Sequence, residues 1–95
     1  MAAYIIANIE VTDPVAYEEY RQRVPPIIAA FGGRYLARGG PAERLEGTAG
    51  AHRVVVLEFP DMARLKGFYA SPDYQPLIAV RQRSSRSSLI TVEGV

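Results

Sequence analysis

Arg38 is the residue whose type and position most suggest ligand chemistry. It ends a short predicted strand and precedes Gly39 and Gly40, where backbone without side chains can approach a ligand closely. A planar guanidinium at such a place can bind both oxygens of a carboxylate or an enolate. The alternative is a surface arginine that pairs with Glu43 or Glu46, and the sequence favours neither interpretation.

Two further side chains, those of Glu58 and His52, can accept a proton from a substrate. Glu58 ends the mixed face of the predicted third strand, where a half-buried carboxylate could have a raised pKa and act as a base. If that strand runs antiparallel to the first strand, Glu58 lies near Tyr4 and Arg34, and a structural ion pair is the favoured alternative. His52 is the only histidine in the chain, and a solvated histidine at the end of a loop is favoured over a general base.

A second set of residues is predicted to contact a ligand without reacting. Asn8 interrupts the mixed face of the first strand, where an apolar side chain would pack at less cost. The chain also has six tyrosines but no tryptophan. A cleft lined by tyrosines between helices and sheet would suit a planar aromatic or enol-like ligand. The predicted ligand contacts are Asn8, Arg38, Tyr4, Tyr35 and Tyr74. For Asn8, the favoured alternative is a polar side chain whose hydrogen bonds are satisfied at a subunit interface. For the tyrosines, it is a packing role in the core, with their hydroxyl groups at the edge of the core.

The composition excludes several classes of protein. The 95 residues include no cysteine and one histidine, which excludes disulfides, thiolate zinc sites, iron–sulfur clusters and the common multi-histidine metal sites. A net charge of +1 does not predict a surface for nucleic acid or anionic membrane. No apolar run approaches the roughly 20 residues of a membrane helix, and the start lacks the basic region of a signal peptide. We therefore expect a cytoplasmic, single-domain protein over residues 1–95, with no metal and no cofactor.

Hydrophobic periodicity predicts four strands. Apolar and mixed positions alternate over residues 3–11 and 52–59, and shorter strands are predicted over 34–38 and 87–93. Residues 42–51 carry two glycines and are predicted to be irregular.

One long helix is predicted over residues 14–31, followed by a second helix and a further helical turn after the third strand. The long helix begins with a capping aspartate and a proline, and its two internal prolines, Pro25 and Pro26, predict a kink. Its apolar positions fall on one face and are Ala16, Tyr17, Tyr20, Val24, Ile27, Ile28 and Phe31. Tyr74 is predicted to face inward from the later helical turn.

The order β-α-β-β-α-β favours an α+β fold with one antiparallel sheet and both helices on one face, the ferredoxin-like arrangement. Right-handed crossovers place the first and third strands at the centre of the sheet. Their second face would display Tyr4, Ile6, Val54 and Val56, which is too apolar for a surface left in water. We therefore predict a homodimer that pairs sheet against sheet. The alternative is a monomer with a sparsely apolar open face.

Seven segments of the chain match a family pattern, in order from residue 3 to residue 95. They are Ala3-Tyr4-Ile5-Ile6-Ala7-Asn8, Val11-Thr12-Asp13-Pro14, Tyr17-Glu18-Glu19-Tyr20, Gly32-Gly33-Arg34-Tyr35-Leu36-Ala37-Arg38-Gly39-Gly40, Glu58-Phe59-Pro60, Ser71-Pro72-Asp73-Tyr74-Gln75 and Val92-Glu93-Gly94-Val95. In these segments the chain resembles the uncharacterised proteins of domain-of-unknown-function family 1330.

That family belongs to the dimeric α+β barrel superfamily, so the resemblance implies two four-stranded sheets that close into a barrel with helices outside. Relatives in the superfamily include cofactor-independent quinone-forming monooxygenases, haem-degrading enzymes, a lactone isomerase and ligand-binding domains of transcription regulators. The resemblance therefore implies a fold and leaves the function open. In the monooxygenases a polar residue of the first strand helps to hold the substrate oxygen, and analogy of position would give that role to Asn8.

Two functions remain open from the sequence. The favoured one is a homodimer that binds a small acidic or aromatic metabolite in a cleft between sheet and helices, because no undoubted base stands in a recognised motif. The alternative is a cofactor-independent enzyme, monooxygenase- or isomerase-like, acting on an enolisable or phenolic substrate. In that enzyme Arg38 would stabilise oxyanion charge and Asn8 would orient the substrate, while Glu58 or His52 would transfer the proton. A Glu58 carboxylate unpaired in a dry cleft would favour catalysis, whereas an ion pair would favour binding or a structural role.

Overall fold

The computed structural model describes residues 1–95 and contains four strands and three helices. In chain order these are β1 (Ala3–Val11), α1 (Pro14–Ala30), β2 (Arg34–Arg38), β3 (Arg53–Phe59), α2 (Met62–Ala70), α3 (Gln75–Ser84) and β4 (Ser85–Glu93). The strands form one antiparallel sheet in the order β2-β3-β1-β4. The predicted ferredoxin-like α+β fold is confirmed, with the first and third strands at the centre.

The side chains of β1 alternate between two environments. Its odd-numbered residues from Ala3 to Ile9 are at most 4% exposed and lie under the helices. They are in register with the buried residues of β3, so that Ile5 lies opposite Leu57 and Ala3 opposite Phe59. Its even-numbered residues point to the other face, which no helix covers.

The start of α1 follows its capping sequence. The Asp13 carboxylate accepts a hydrogen bond from the backbone N–H of Ala16 at 3.1 Å, and Pro14 occupies the first turn, where a missing N–H costs little. The helix continues through Pro25 and Pro26 to Ala30. None of the three helices has the length and apolar character that spanning a membrane requires.

The junction of α3 and β4 differs most from the sequence-based expectation. The predicted further helical turn is a ten-residue helix, and β4 begins at Ser85, two residues earlier than predicted. The Ser84 hydroxyl donates to the backbone carbonyl of Val80 at 2.6 Å, and the Ser84 carbonyl accepts from the backbone N–H groups of Thr12 and Asp13. These contacts join the end of α3 to the end of β1. Ser84 and Ser85 are buried at this junction.

Gly33 lies where the chain passes from α1 into β2 and lets the helix approach the sheet. A Cβ at this position would lie 2.7 Å from Ile28 Cγ2 and 2.7 Å from Phe59 Cε1, and both of those side chains are buried. We expect Gly33→Ala to lower the free energy of unfolding by about 1–3 kcal/mol, because overpacking forces core side chains out of their preferred rotamers. Urea denaturation at fixed protein concentration measures this change.

Gly40→Ala is the matched control, since no atom lies within 4 Å of a Cβ built there. Its free energy of unfolding should stay within about 0.5 kcal/mol of the wild-type value. Equal effects of the two substitutions would contradict the packing argument.

Candidate ligand-binding site

The sheet separates the predicted site residues into two groups. On the helix side lie Tyr35, Arg38 and Tyr74. On the open side lie Tyr4, Asn8 and Glu58, with the exposed His52 at the end of the adjoining loop. The predicted ligand contacts Tyr4 and Asn8 are therefore outside the cleft between sheet and helices, because even-numbered residues of β1 point away from the helices.

Four tyrosines from separate parts of the chain meet on the helix side. Tyr17 and Tyr20 lie one turn apart on α1, with ring centroids separated by 5.4 Å. Tyr74 faces inward at the start of α3, where it is 1% exposed, and its hydroxyl lies 2.8 Å from that of Tyr20. Tyr35 reaches the same space from β2 and is half-buried.

Three guanidinium groups surround these phenols. Arg38 Cζ lies 4.4 Å from the ring centroid of Tyr35, within the range of a cation–π contact. Arg53 Cζ lies 6.0 Å from the ring centroid of Tyr17. Arg81 Cζ lies 6.0 Å from the ring centroid of Tyr20. None of the three forms a salt bridge, so the alternative in which Arg38 pairs with a nearby glutamate is not observed.

The four tyrosines border a cavity of about 30 Å³ together with Arg38, Arg53 and Arg21, which pairs with Glu18. None of the residues that line this cavity carries a carboxylate. This volume holds one or two water molecules or a group of similar size. A larger groove of about 380 Å³ adjoins it, between Leu65, Lys66 and Tyr69 of α2 and Leu89 and Thr91 of β4. Ile5 and Leu89 line both spaces and separate them. Because pockets for small ligands have volumes of roughly 300–1,000 Å³, the groove has room for the body of a metabolite.

Burial raises the pKa of three of the four phenols in this cluster. Burial raises the pKa of the Tyr74 phenol far above its ordinary value of 10, and the neighbouring Tyr20 adds to the effect. Burial likewise raises the pKa of Tyr17 and of Tyr35. Neutral phenols beside charged guanidinium groups give the site a net positive charge with many hydrogen-bond donors.

Two arginines of this cluster, Arg53 and Arg81, are not among the sequence-based candidates. Arg53 shares the parity of the buried residues of β3, and Arg81 follows Tyr74 by seven residues, which is two helical turns. Both spacings can be read from the sequence, but the contacts of Arg53 with Tyr17 and of Arg81 with Tyr20 depend on the tertiary structure. A Cβ at Gly39, where φ is +72°, would collide with the Arg53 guanidinium, so this glycine makes room for Arg53.

On the open side, Glu58 is held by two partners. Arg34 Nε donates to Glu58 Oε1 at 2.7 Å, and the Tyr4 hydroxyl donates to Oε2 at 3.2 Å. The register places these three residues side by side across β2, β3 and β1. The carboxylate is therefore engaged in an ion pair on the face opposite the cavity, the arrangement that favours binding or a structural role over catalysis.

The Asn8 side chain anchors the long loop between β2 and β3 to the sheet through two hydrogen bonds. Its amide group donates to the carbonyl of Gly50, and its side-chain oxygen accepts from the backbone N–H of His52 at 3.2 Å. His52 itself is exposed, away from the tyrosines. No group of three or more His, Asp or Glu side chains lies close enough together to hold a metal ion.

Residues 2–95 match the sequence family described as "Domain of unknown function (DUF1330)". The chain belongs to the DUF1330 family. This match confirms the resemblance that the seven sequence segments indicated. Among curated protein sequences, no match to the chain was found.

Solved structures share the fold of this DUF1330 chain at low sequence identity. A protein of unknown function from Rhodopseudomonas palustris superposes with a TM-score of 0.81 at 18% identity, over 99% of this chain and 82% of that one. SnoaB, a cofactor-independent oxygenase from Streptomyces nogalater, has a TM-score of 0.67 at 15% identity, over 99% and 93% of the two chains. A dimeric ferredoxin-like protein of unknown function from Jannaschia sp. CCS1 has a TM-score of 0.67 at 17% identity, over 99% and 100%.

The raised pKa values predict how stability depends on pH. A phenol with a pKa above 10 in the folded state binds more protons there than in the unfolded chain once the pH exceeds about 10. Its contribution to stability is complete below pH 10 and is lost as the pH rises further. We expect the free energy of unfolding to fall above pH 10, and to fall less steeply in Tyr74→Phe. Denaturation series at pH 8 to 11 test this, and equal slopes would contradict it.

Proposed function

We propose that this DUF1330 protein is a cytoplasmic homodimer that binds a small acidic or aromatic metabolite on the helix side of its sheet. The observation that carries the proposal is a cavity lined by four phenols and the guanidinium groups of Arg38 and Arg53, without a carboxylate, with Arg81 close to the ring of Tyr20. Phenol rings offer flat apolar faces, and guanidinium groups bind planar anions. The composition supports the location only through the absence of cysteine.

The open face of the sheet supports the dimer. Ile6 on β1 lies between Val56 on β3 and Ile90 on β4, and Ile90 is 60% exposed. Val92 and Leu36 extend the apolar surface and are 45% and 50% exposed. Contiguous apolar surface of this kind marks an interaction site, and twofold pairing is the commonest way to cover it. The Jannaschia protein of the same fold is described as dimeric, which agrees with this proposal.

The arrangement of candidate bases favours binding over catalysis. Glu58 is paired with Arg34 on the opposite face, and His52 is exposed at a loop end. Neither lines the cavity, and burial raises the pKa of Tyr35 and Tyr74, which do, so that these two phenols stay protonated. The helix side therefore offers donors and positive charge for a ligand but no group ready to remove a proton.

A second candidate function is a cofactor-independent reaction on an enolisable or phenolic substrate. Its support is the fold shared with SnoaB, a cofactor-independent oxygenase. In that case Arg38 and Arg53 would stabilise negative charge on the substrate oxygen, and the substrate would have to arrive already ionised, since no base lines the cavity. Turnover of the bound metabolite under oxygen would distinguish this function from binding alone.

The dimer is tested by placing a charge on the open face. Ile6→Lys puts an ammonium group in the centre of the apolar surface, so we expect the dimer to dissociate at micromolar concentration. Analytical ultracentrifugation measures the change in mass. Val15→Lys is the matched control, because Val15 is 87% exposed on α1 and lies away from that face. A wild-type monomer, or a dimer that persists in Ile6→Lys, would overturn the proposed interface.

The ligand is tested by native mass spectrometry of protein purified from its source cells. We expect a dimer that carries a reproducible extra mass, and loss of that mass in Arg38→Ala, because the guanidinium at the cavity mouth contacts the ligand. Arg23→Ala is the matched control, since Arg23 pairs with Glu19 on the exposed side of α1. Wild-type protein without any extra mass, or a mass that Arg38→Ala retains, would count against the proposed site.

A further inference from the structure

Arg81 is a buried charge that contacts phenols and forms no salt bridge. The residue is 3% exposed, and its Nη1 donates to the Tyr74 hydroxyl at 2.7 Å. Its Nε is buried without any hydrogen-bond partner, and no carboxylate forms a salt bridge with it. A guanidinium stays charged in proteins, and no carboxylate of this chain lies within salt-bridge distance of this one.

The hydrogen bonds of the two phenols leave one donor free. Arginine can only donate, so the Tyr74 oxygen accepts from Arg81. Tyr20 and Tyr74 share a single hydrogen bond of 2.8 Å, which uses one of their two hydroxyl hydrogens. The other hydrogen has no acceptor in this chain, and both hydroxyl-bearing residues line the cavity. Buried donors without acceptors are uncommon in folded proteins, so this one points to an acceptor that the chain does not supply.

Arg53 adds a further unpartnered donor from the sheet. Its Nε is also buried without a hydrogen-bond partner, and its side chain lines the same cavity. The donors come from three elements, α1, the start of α3 and β3, so they surround the cavity and do not belong to one helix end. The cavity itself has room only for a group the size of one or two waters.

We propose that Arg53 and the Arg81–Tyr74–Tyr20 chain form a subsite for the anionic head group of the ligand, a carboxylate or an enolate. This inference rests on the proposed function and adds to it the charge and the orientation of the ligand. The head group lies in the small cavity, and the body of the ligand extends past Ile5 and Leu89 into the groove beside α2. Arg81 acts as a positioning residue, since it contacts Tyr74 and does not line the cavity itself.

Formate is the probe that tests the subsite, because it is a carboxylate small enough for the cavity, and formamide is its neutral counterpart. Arginine Nε–H signals of wild-type protein labelled with ¹⁵N-arginine are followed during titration with each compound at constant ionic strength. We expect saturable shifts of the Arg53 and Arg81 signals with formate and none with formamide. Arg53→Met should weaken formate binding about tenfold, since it removes a charged hydrogen-bond donor.

Arg34→Met is the matched control on the opposite face of the sheet, and it should leave formate affinity unchanged. Arg53→Lys, which keeps the charge but not the Nε donor, should bind formate with intermediate affinity if Arg53→Met fails to fold. Absence of saturable shifts with formate, or equal shifts with formamide, would overturn the subsite. A metabolite that copurifies while formate does not bind would leave the proposed function standing without this subsite. Formate binding without any copurified metabolite would leave the subsite standing without the proposed function.

Discussion

The pairing of β1 with strands on both of its sides is the constraint on which the rest of the structure depends. With β3 and β4 hydrogen-bonded to it, β1 cannot rotate, and its alternate side chains face either the helices or the open side. A shift of one residue would exchange the two sets and bring Tyr4, Asn8 and Glu10 into the core. The complete burial of Ala3 and Phe59 at one end of the pairing shows how closely the helices fit this register.

The two faces of the sheet differ in whether their arginines are paired with carboxylates. On the open face Arg34, Tyr4 and Glu58 satisfy one another, and Asn8 satisfies the backbone of the adjoining loop. On the helix side Arg53 and Arg81 meet phenols and no carboxylate, and two of their nitrogen atoms remain without acceptors. Unbalanced buried charge lowers stability, so a fold that keeps it is consistent with a ligand that supplies the missing anion.

Membership of DUF1330 does not choose among functions. The shared fold includes an oxygenase and proteins of unknown function, at identities below 20%. Such a fold supplies a sheet, a helix layer and the space between them, and the chemistry depends on the side chains placed there. In this chain those side chains are donors and aromatic rings, which favours recognition of an anion over removal of a proton.

The sequence by itself determined the long first helix, the order of the four strands and the two faces of the sheet, because periodicity is a local property that reports which side chains share a surface. It also indicated that Tyr74 and the apolar face of α1 point inward, and that Glu58 lies beside Tyr4 and Arg34. Only the tertiary structure showed that Arg53 and Arg81 join the tyrosines and that Ser84 connects α3 to β1. These contacts join residues from different elements, and the distances between such residues depend on how helices pack on the sheet, which no pattern within one segment encodes.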